Sequence, residues 1–143
     1  MRTNKVAFYI RTSTPENEMA GHWADLQLRE LRSYTDSRKN EGWQVSEDHI
    51  FIDEGYSGAS ATEKRPALAE LKEEILMGGI DTVLITSLDR LFRKTPDMFQ
   101  FRDFLNEHKV NLVSKKEKFN LENMGSQLLM LLESGLPIDS DQK

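Results

Sequence analysis

The sequence contains no cysteine, only 4 prolines and 8 glycines, and no apolar stretch long enough to cross a bilayer. Without cysteine there are no disulfides and no thiolate metal sites, which fits a reducing compartment and predicts a cytoplasmic protein with no membrane contact. Met1-Arg2-Thr3-Asn4-Lys5 runs straight into an apolar segment and lacks the pattern of a secretory leader. Also missing is the basic surplus of an autonomous nucleic-acid binder: the formal charge is -5 and the pI about 5.3. That balance counts against tight DNA binding by these residues alone, but not against a catalytic module that another segment delivers to DNA. No GxxxxGK[ST] loop, HExxH pair or EF-hand spacing occurs, and His22, His49 and His108 are scattered. The carboxylates Asp53, Glu54 and Asp89 sit in different segments with no metal-binding spacing, so neither metal nor cofactor is expected.

What is present alternates. Lys5-Val6-Ala7-Phe8-Tyr9-Ile10 reads as a buried strand, rich in β-branched and aromatic residues. A helix is predicted from about His22 to Asn40, with Trp23, Leu26, Leu31 and Tyr34 as its apolar stripe and Gly42 past its end. His49–Asp53 is a short second strand, and Glu54–Lys64 a glycine- and serine-containing loop without apolar periodicity. Pro66 and Gly78-Gly79 bracket the next helix, whose buried side is Ala67, Leu68, Leu71, Ile75 and Leu76. Asp81–Thr86 is a third strand, unbroken in its apolar centre and therefore buried on both faces. Thr95-Pro96-Asp97 opens a helix with the stripe Met98, Phe101, Phe104 and Leu105. Val110–Val113 is a fourth strand, and Met124–Ser134 a last helix. This order implies one α/β domain over residues 1–143, a three-layer α/β/α arrangement around a mainly parallel sheet of four to five strands.

In such a sheet, ligands meet the carboxyl ends of the strands. Tyr9-Ile10-Arg11-Thr12-Ser13 ends the first strand there, with Arg11 and Ser13 on one side of the chain. A hydroxyl beside a permanent cation suits attack on an anionic substrate such as a phosphodiester. Taken alone, these five residues favour the plainer reading, Ser13 as a helix cap and Arg11 as a surface charge. The third strand, however, runs into Ser87-Leu88-Asp89-Arg90-Leu91-Phe92-Arg93, and Arg65 opens a helix directly after the glycine-containing loop. Arg11, Arg65, Arg90 and Arg93 thus converge by topology on one edge, as a phosphate clamp would. Asp89 either pairs with an arginine or handles a proton.

Tyr9-Ile10-Arg11-Thr12-Ser13-Thr14, Asp53-Glu54-Gly55-Tyr56-Ser57-Gly58, Arg65-Pro66-Ala67-Leu68 and Leu88-Asp89-Arg90-Leu91-Phe92-Arg93 resemble, in the correct order, the catalytic domain of serine site-specific recombinases. These are the resolvases, invertases, large phage-type integrases and some transposases. The tyrosine-glycine loop before Arg65-Pro66 is more similar to the large integrase and transposon branch. The resemblance implies that Ser13 attacks a DNA phosphate to form a phosphoserine link, followed by strand exchange and religation. It implies that Arg11, Arg65, Arg90 and Arg93 bind that phosphate with Asp89 as catalytic or positioning partner. Tyr9 and Gln27 match further active-site positions. Asn17 stands where the family often has glutamine, so that contact is not carried over.

The resemblance also implies partners: DNA, through a missing or separate binding region, and further copies of the chain; the last helix is expected to stop at Gly135-Leu136-Pro137, where family members continue it, as in either a catalytic fragment or a stand-alone protein. In the last helix Met124, Leu128, Leu131 and Leu132 share a face suited to the sheet, while Leu129 and Met130 lie off that stripe. Family members dimerise and form tetramers through this helix, so Leu129 or Met130 is expected in a homo-oligomer contact. The alternative from another class is a receiver-like phospho-signalling domain, with Asp53 as acceptor and Thr86 and Lys115 at the next strand ends. It lacks an acidic pair beside the first strand, where Arg11 and Ser13 stand instead. A catalytically inert scaffold is a third possibility, against which the full set of candidate catalytic residues argues.

Overall fold

The computed structural model describes residues 3–12, 19–54, 65–91, 95–116 and 119–120. The first strand, β1 (Asn4–Thr12), is buried from Val6 onward. Its alternating side chains supply both faces of a sheet. Val6, Phe8 and Ile10 join one apolar cluster, while Ala7 and Tyr9 join another. Helix α1 (Met19–Ser37) covers the first face, and a short 3-10 turn at Lys39–Glu41 leads to Gly42. Gly42 has φ 89°, a left-handed conformation that glycine adopts without strain, and its carbonyl accepts the Asn4 N–H at 2.7 Å. That bond opens the pairing of β1 with β2 (Trp43–Glu54).

The remaining elements are α2 (Pro66–Leu76), β3 (Thr82–Ile85), α3 (Leu88–Leu91), α4 (Thr95–Glu107), β4 (Asn111–Ser114) and β5 (Phe119–Asn120). The sheet has five strands in the order β2-β1-β3-β4-β5; all pairs are parallel except β4 with β5. Val83, Ile85 and Leu112 face the cluster shared with α2, α3 and α4, whereas Leu84 and Val113 face the cluster shared with α1. Helices therefore lie on both faces, the three-layer α/β/α class expected. Because β2 and β3 lie on opposite sides of β1, the chain reverses direction across β1, and the carboxyl ends of β1 and β3 bound a crevice.

The differences from the sequence pattern have local causes. β2 begins at Trp43 rather than His49, because polar Ser46-Glu47-Asp48 form a bulge inside it. Val6 pairs with Val45 and Phe8 with Ile50, so Ser46–His49 stand opposite Ala7 alone. These exposed polar residues interrupt an edge strand that would otherwise present a long pairing template. In α1 the buried side is Ala24, Gln27, Leu31 and Thr35, and Trp23 is 47% exposed rather than in the core. Leu76, expected on the buried side of α2, is 60% exposed at its last turn. β5 has two residues, too short for a period to register in the sequence. The predicted last helix, with Leu129 and Met130, lies outside the described residues.

Candidate active site

The carboxyl edge is built from β1 outward. Tyr9 and Arg11 are two residues apart and so share a face; in the parallel register Arg11 lies beside Asp53 of β2. Tyr9, Arg11, Asp53 and Arg65 are all buried, with Arg65 at 0% and Arg11 at 2% exposure. A buried guanidinium is tolerated only where its charge is answered. The Tyr9 hydroxyl accepts hydrogen bonds from Arg65 Nε (3.2 Å) and Nη2 (2.9 Å) and donates to Asp53 Oδ2 at 2.7 Å. The guanidinium also lies 5.3 Å from the centre of the Tyr9 ring. Burial pushes the Tyr9 hydroxyl well above its ordinary pKa, with the Arg65 charge opposing and the Asp53 carboxylate reinforcing that shift.

Asp53 does a second job. Its Oδ1 accepts the Ala67 N–H (2.8 Å) and its Oδ2 the Leu68 N–H (3.1 Å). Those are donors at the N-terminus of α2 that the helix itself cannot satisfy, and a carboxylate there also meets the positive end of the dipole. The residue at the cap position, Arg65, makes no side-chain cap, and Pro66 follows it. The cap is therefore supplied by the neighbouring strand. One carboxylate both starts the helix and, through Tyr9, holds the arginine that precedes it. Sequence reasoning missed this role, although an arginine-proline helix start with no capping side chain of its own was the available signal.

This geometry corrects the receiver alternative. Both Asp53 oxygens are engaged, Oδ2 by the Tyr9 hydroxyl and the Leu68 N–H and Oδ1 by the Ala67 N–H, so the carboxylate is spent on capping α2 and holding Tyr9. Thr86 instead donates its hydroxyl to Gln27 Oε1 at 3.5 Å, and Lys115 Nζ lies 3.5 Å from Glu30.

On the opposite face of the sheet, Gln27 projects from α1 and is buried. Its Nε2 donates to the Arg11 carbonyl at 3.2 Å, and its Oε1 takes the Thr86 hydroxyl, so one amide ties the end of β1 to the end of β3. Beside it an open cleft of about 650 Å³ lies between α1 and the ends of β3 and β4, walled by Trp23, Leu26, Gln27, Thr86, Lys115 and Lys116. Leu88 and Leu91 of α3 are buried in the same cluster as Tyr9 and anchor the segment that carries Asp89 and Arg90. The side chains of Asp89 and Arg90, and the whole of Ser13 and Arg93, lie outside the described residues. Of the sequence-predicted set, Tyr9, Arg11, Gln27 and Arg65 thus meet at one edge. Among the described residues no three His, Asp or Glu side chains converge as a metal site.

Comparison with known proteins agrees. A family model described as the resolvase N-terminal domain matches residues 6–136. A putative DNA recombinase of Bacillus subtilis (strain 168) is 31% identical over 109 residues, covering 76% of this chain. The chain spans about one fifth of that relative, 20% of its length. The N-terminal catalytic domain of TP901-1 integrase is 33% identical, with a TM-score of 0.69 and 92% of each chain covered. A resolvase family site-specific recombinase from Streptococcus pneumoniae shares the fold at a TM-score of 0.71 and 22% identity, over 92% of this chain and 87% of that one. With its motifs in order, its sheet edge assembled and its length matched almost throughout, the chain belongs to the resolvase N-terminal domain family of serine recombinases.

Proposed function

We propose that this domain breaks and rejoins DNA strands during site-specific recombination, with Ser13 as the nucleophile. The observation that carries the reading is the pair of buried guanidiniums, Arg11 and Arg65, at the carboxyl edge where the chain enters Ser13. Ser13 Oγ forms a bond to phosphorus as the bond from phosphorus to a deoxyribose oxygen breaks. The proton lost by the serine balances the one gained by the leaving oxygen. The phosphoserine holds the strand while ends exchange, and attack by the new end's hydroxyl restores Ser13. Negative charge grows on the nonbridging oxygens during each transfer, and fixed guanidiniums stabilise it without reorganisation. In phosphoryl transfer one well-placed arginine contributes roughly 10³-fold or more. Arg90 and Arg93 complete the clamp, Asp89 orients it or moves a proton, and Gln27 and Tyr9 position Arg11 and Arg65. Guanidiniums supply the charge, so the reaction needs no divalent metal.

DNA is delivered by a binding region outside these residues, and dimers joining into tetramers bring two sites together. The test fuses the chain to a sequence-specific DNA-binding module and offers it a nicked target that traps the cleaved state. A protein–DNA adduct that survives detergent is expected from the wild type in chelator. Ser13→Ala folds but forms none. An unchanged adduct in that variant overturns the assignment.

A further inference from the structure

The end of β1 carries a hydroxyl that the fold does not use. Val6, Phe8 and Ile10 join the cluster under α1, and alternation along the strand gives Thr12 the same face. Three apolar side chains are thus followed by a polar one. Thr12 is 2% exposed, and among the described residues its Oγ1 is buried without a hydrogen-bond partner. Comparable hydroxyls in this chain are answered. Tyr9 bonds to Asp53, Thr35 to the Leu31 carbonyl and Thr82 to Asn4. Gln27 comes within one residue of Thr12, but its amide is given to the Arg11 carbonyl and the Thr86 hydroxyl.

A buried hydroxyl with no partner opposes folding, because it gives up its bonds to water and gains none. Valine would put a methyl group in its place and continue the stripe of Val6, Phe8 and Ile10. The misfit stands at the carboxyl end of β1, immediately before Ser13. Departures from the packing rules gather at functional sites. At the last residue of a strand both faces open onto one edge, so Thr12 and Arg11 can serve one ligand from opposite sides. Nor does burial set Thr12 apart from the two guanidiniums of that edge, since Arg11 and Arg65 are 2% and 0% exposed. We propose that Thr12 is a further substrate-positioning residue, its hydroxyl donating to a nonbridging oxygen of the DNA phosphate that Ser13 attacks. Arg11 and Arg65 neutralise that phosphate; the neutral hydroxyl fixes its orientation, and its bond strengthens as charge builds on the oxygen. No bond within Thr12 forms or breaks. The inference deepens the recombinase reading and rests on it.

The test compares the wild type with Thr12→Val and Thr12→Ser. Urea midpoints are read on the 143-residue chain. Affinity for the nicked target, and the rate of adduct formation at saturating DNA, are read on its fusion to a sequence-specific DNA-binding module. Thr12→Val should unfold at the same or a higher midpoint, because a polar misfit is gone. It should bind the target as the wild type does, yet form the adduct roughly 10- to 100-fold more slowly, the scale of a lost hydrogen bond to a charged group. Thr12→Ser keeps a hydroxyl and should recover most of that rate. A lower midpoint in Thr12→Val overturns the assignment by making the hydroxyl a structural group, and so does a rate that Thr12→Ser fails to recover. A wild-type adduct with an undiminished rate in Thr12→Val fails Thr12 alone. No adduct from the wild type itself fails the recombinase reading, and Thr12 with it.

Discussion

The two faces of the sheet's carboxyl edge are built on opposite principles. On the α2 face, Tyr9, Asp53 and Arg65 are buried and bonded to one another and to the start of α2. On the α1 face, Trp23, Lys115 and Glu30 stand 40–52% open to water around a cleft. Low dielectric makes the first arrangement stiff and intolerant of loss, because every group removed leaves a buried partner unanswered. High dielectric makes the second adaptable, its charges contributing little to the fold. The proposed phosphate clamp draws on the first arrangement alone.

The largest expected effect comes from breaking the dry side at its centre. Asp53→Ala removes the cap of α2 and the carboxylate behind Tyr9 while Arg65 stays buried. Loss of one member of a buried charged network costs about 3–5 kcal/mol. The urea midpoint should fall accordingly. A loss under about 1 kcal/mol, the size of a lone helix cap, would mean that Asp53 does not hold Arg65.

Next in size is Tyr9→Phe, which keeps the ring under Arg65 and deletes the hydroxyl that both Arg65 and Asp53 use. Leaving buried groups unsatisfied costs roughly 1–3 kcal/mol. The variant also carries a pH signature. The folded Tyr9 pKa lies above the ordinary 10.0, so folding holds the proton more tightly than the unfolded chain does. Its contribution is complete below pH 10.0 and is lost as pH rises toward the folded value. Stability of the wild type should therefore fall more steeply above that pH than stability of Tyr9→Phe, read from denaturant midpoints across the alkaline range. Parallel slopes would show that the hydroxyl titrates alike in both states.

How legible this was in the sequence differs between the faces for the same physical reason. The parallel sheet and the edge that collects Arg11 and Arg65 follow from an apolar β1, the order of elements and the motif at each strand end. Asp53 was visible as a residue and invisible as a cap, because the donors it satisfies are 14 and 15 residues away in the chain. The start of β2 was hidden by its own bulge, where Ser46-Glu47-Asp48 erase the alternation. The cleft was hidden by Trp23 and Leu26, whose apolar character reads as core until Ala24 and Leu31 are found to fill that place. Ser13, Arg93 and the side chains of Asp89 and Arg90 lie outside the described residues and rest on their motifs.

The smallest expected effect sharpens the contrast from the wet side. Lys115 meets Glu30 at 3.5 Å with both side chains well exposed, at 40% and 52%. A pair in such surroundings gains little from Coulomb attraction, gives up side-chain freedom to form, and is screened by salt. Lys115→Ala should therefore shift stability by no more than about 0.5 kcal/mol, and that shift should vanish near 1 M salt, where the screening length is about 3 Å. The backbone bond from residue 115 to the Ile85 carbonyl survives the substitution, so the end of β4 keeps its place. Thermal or urea unfolding at low and high salt measures this directly. A salt-insensitive loss of about 2 kcal/mol would place Lys115 among the structural charges with Arg65. A negligible loss makes it a surface charge whose position depends on its backbone bond alone.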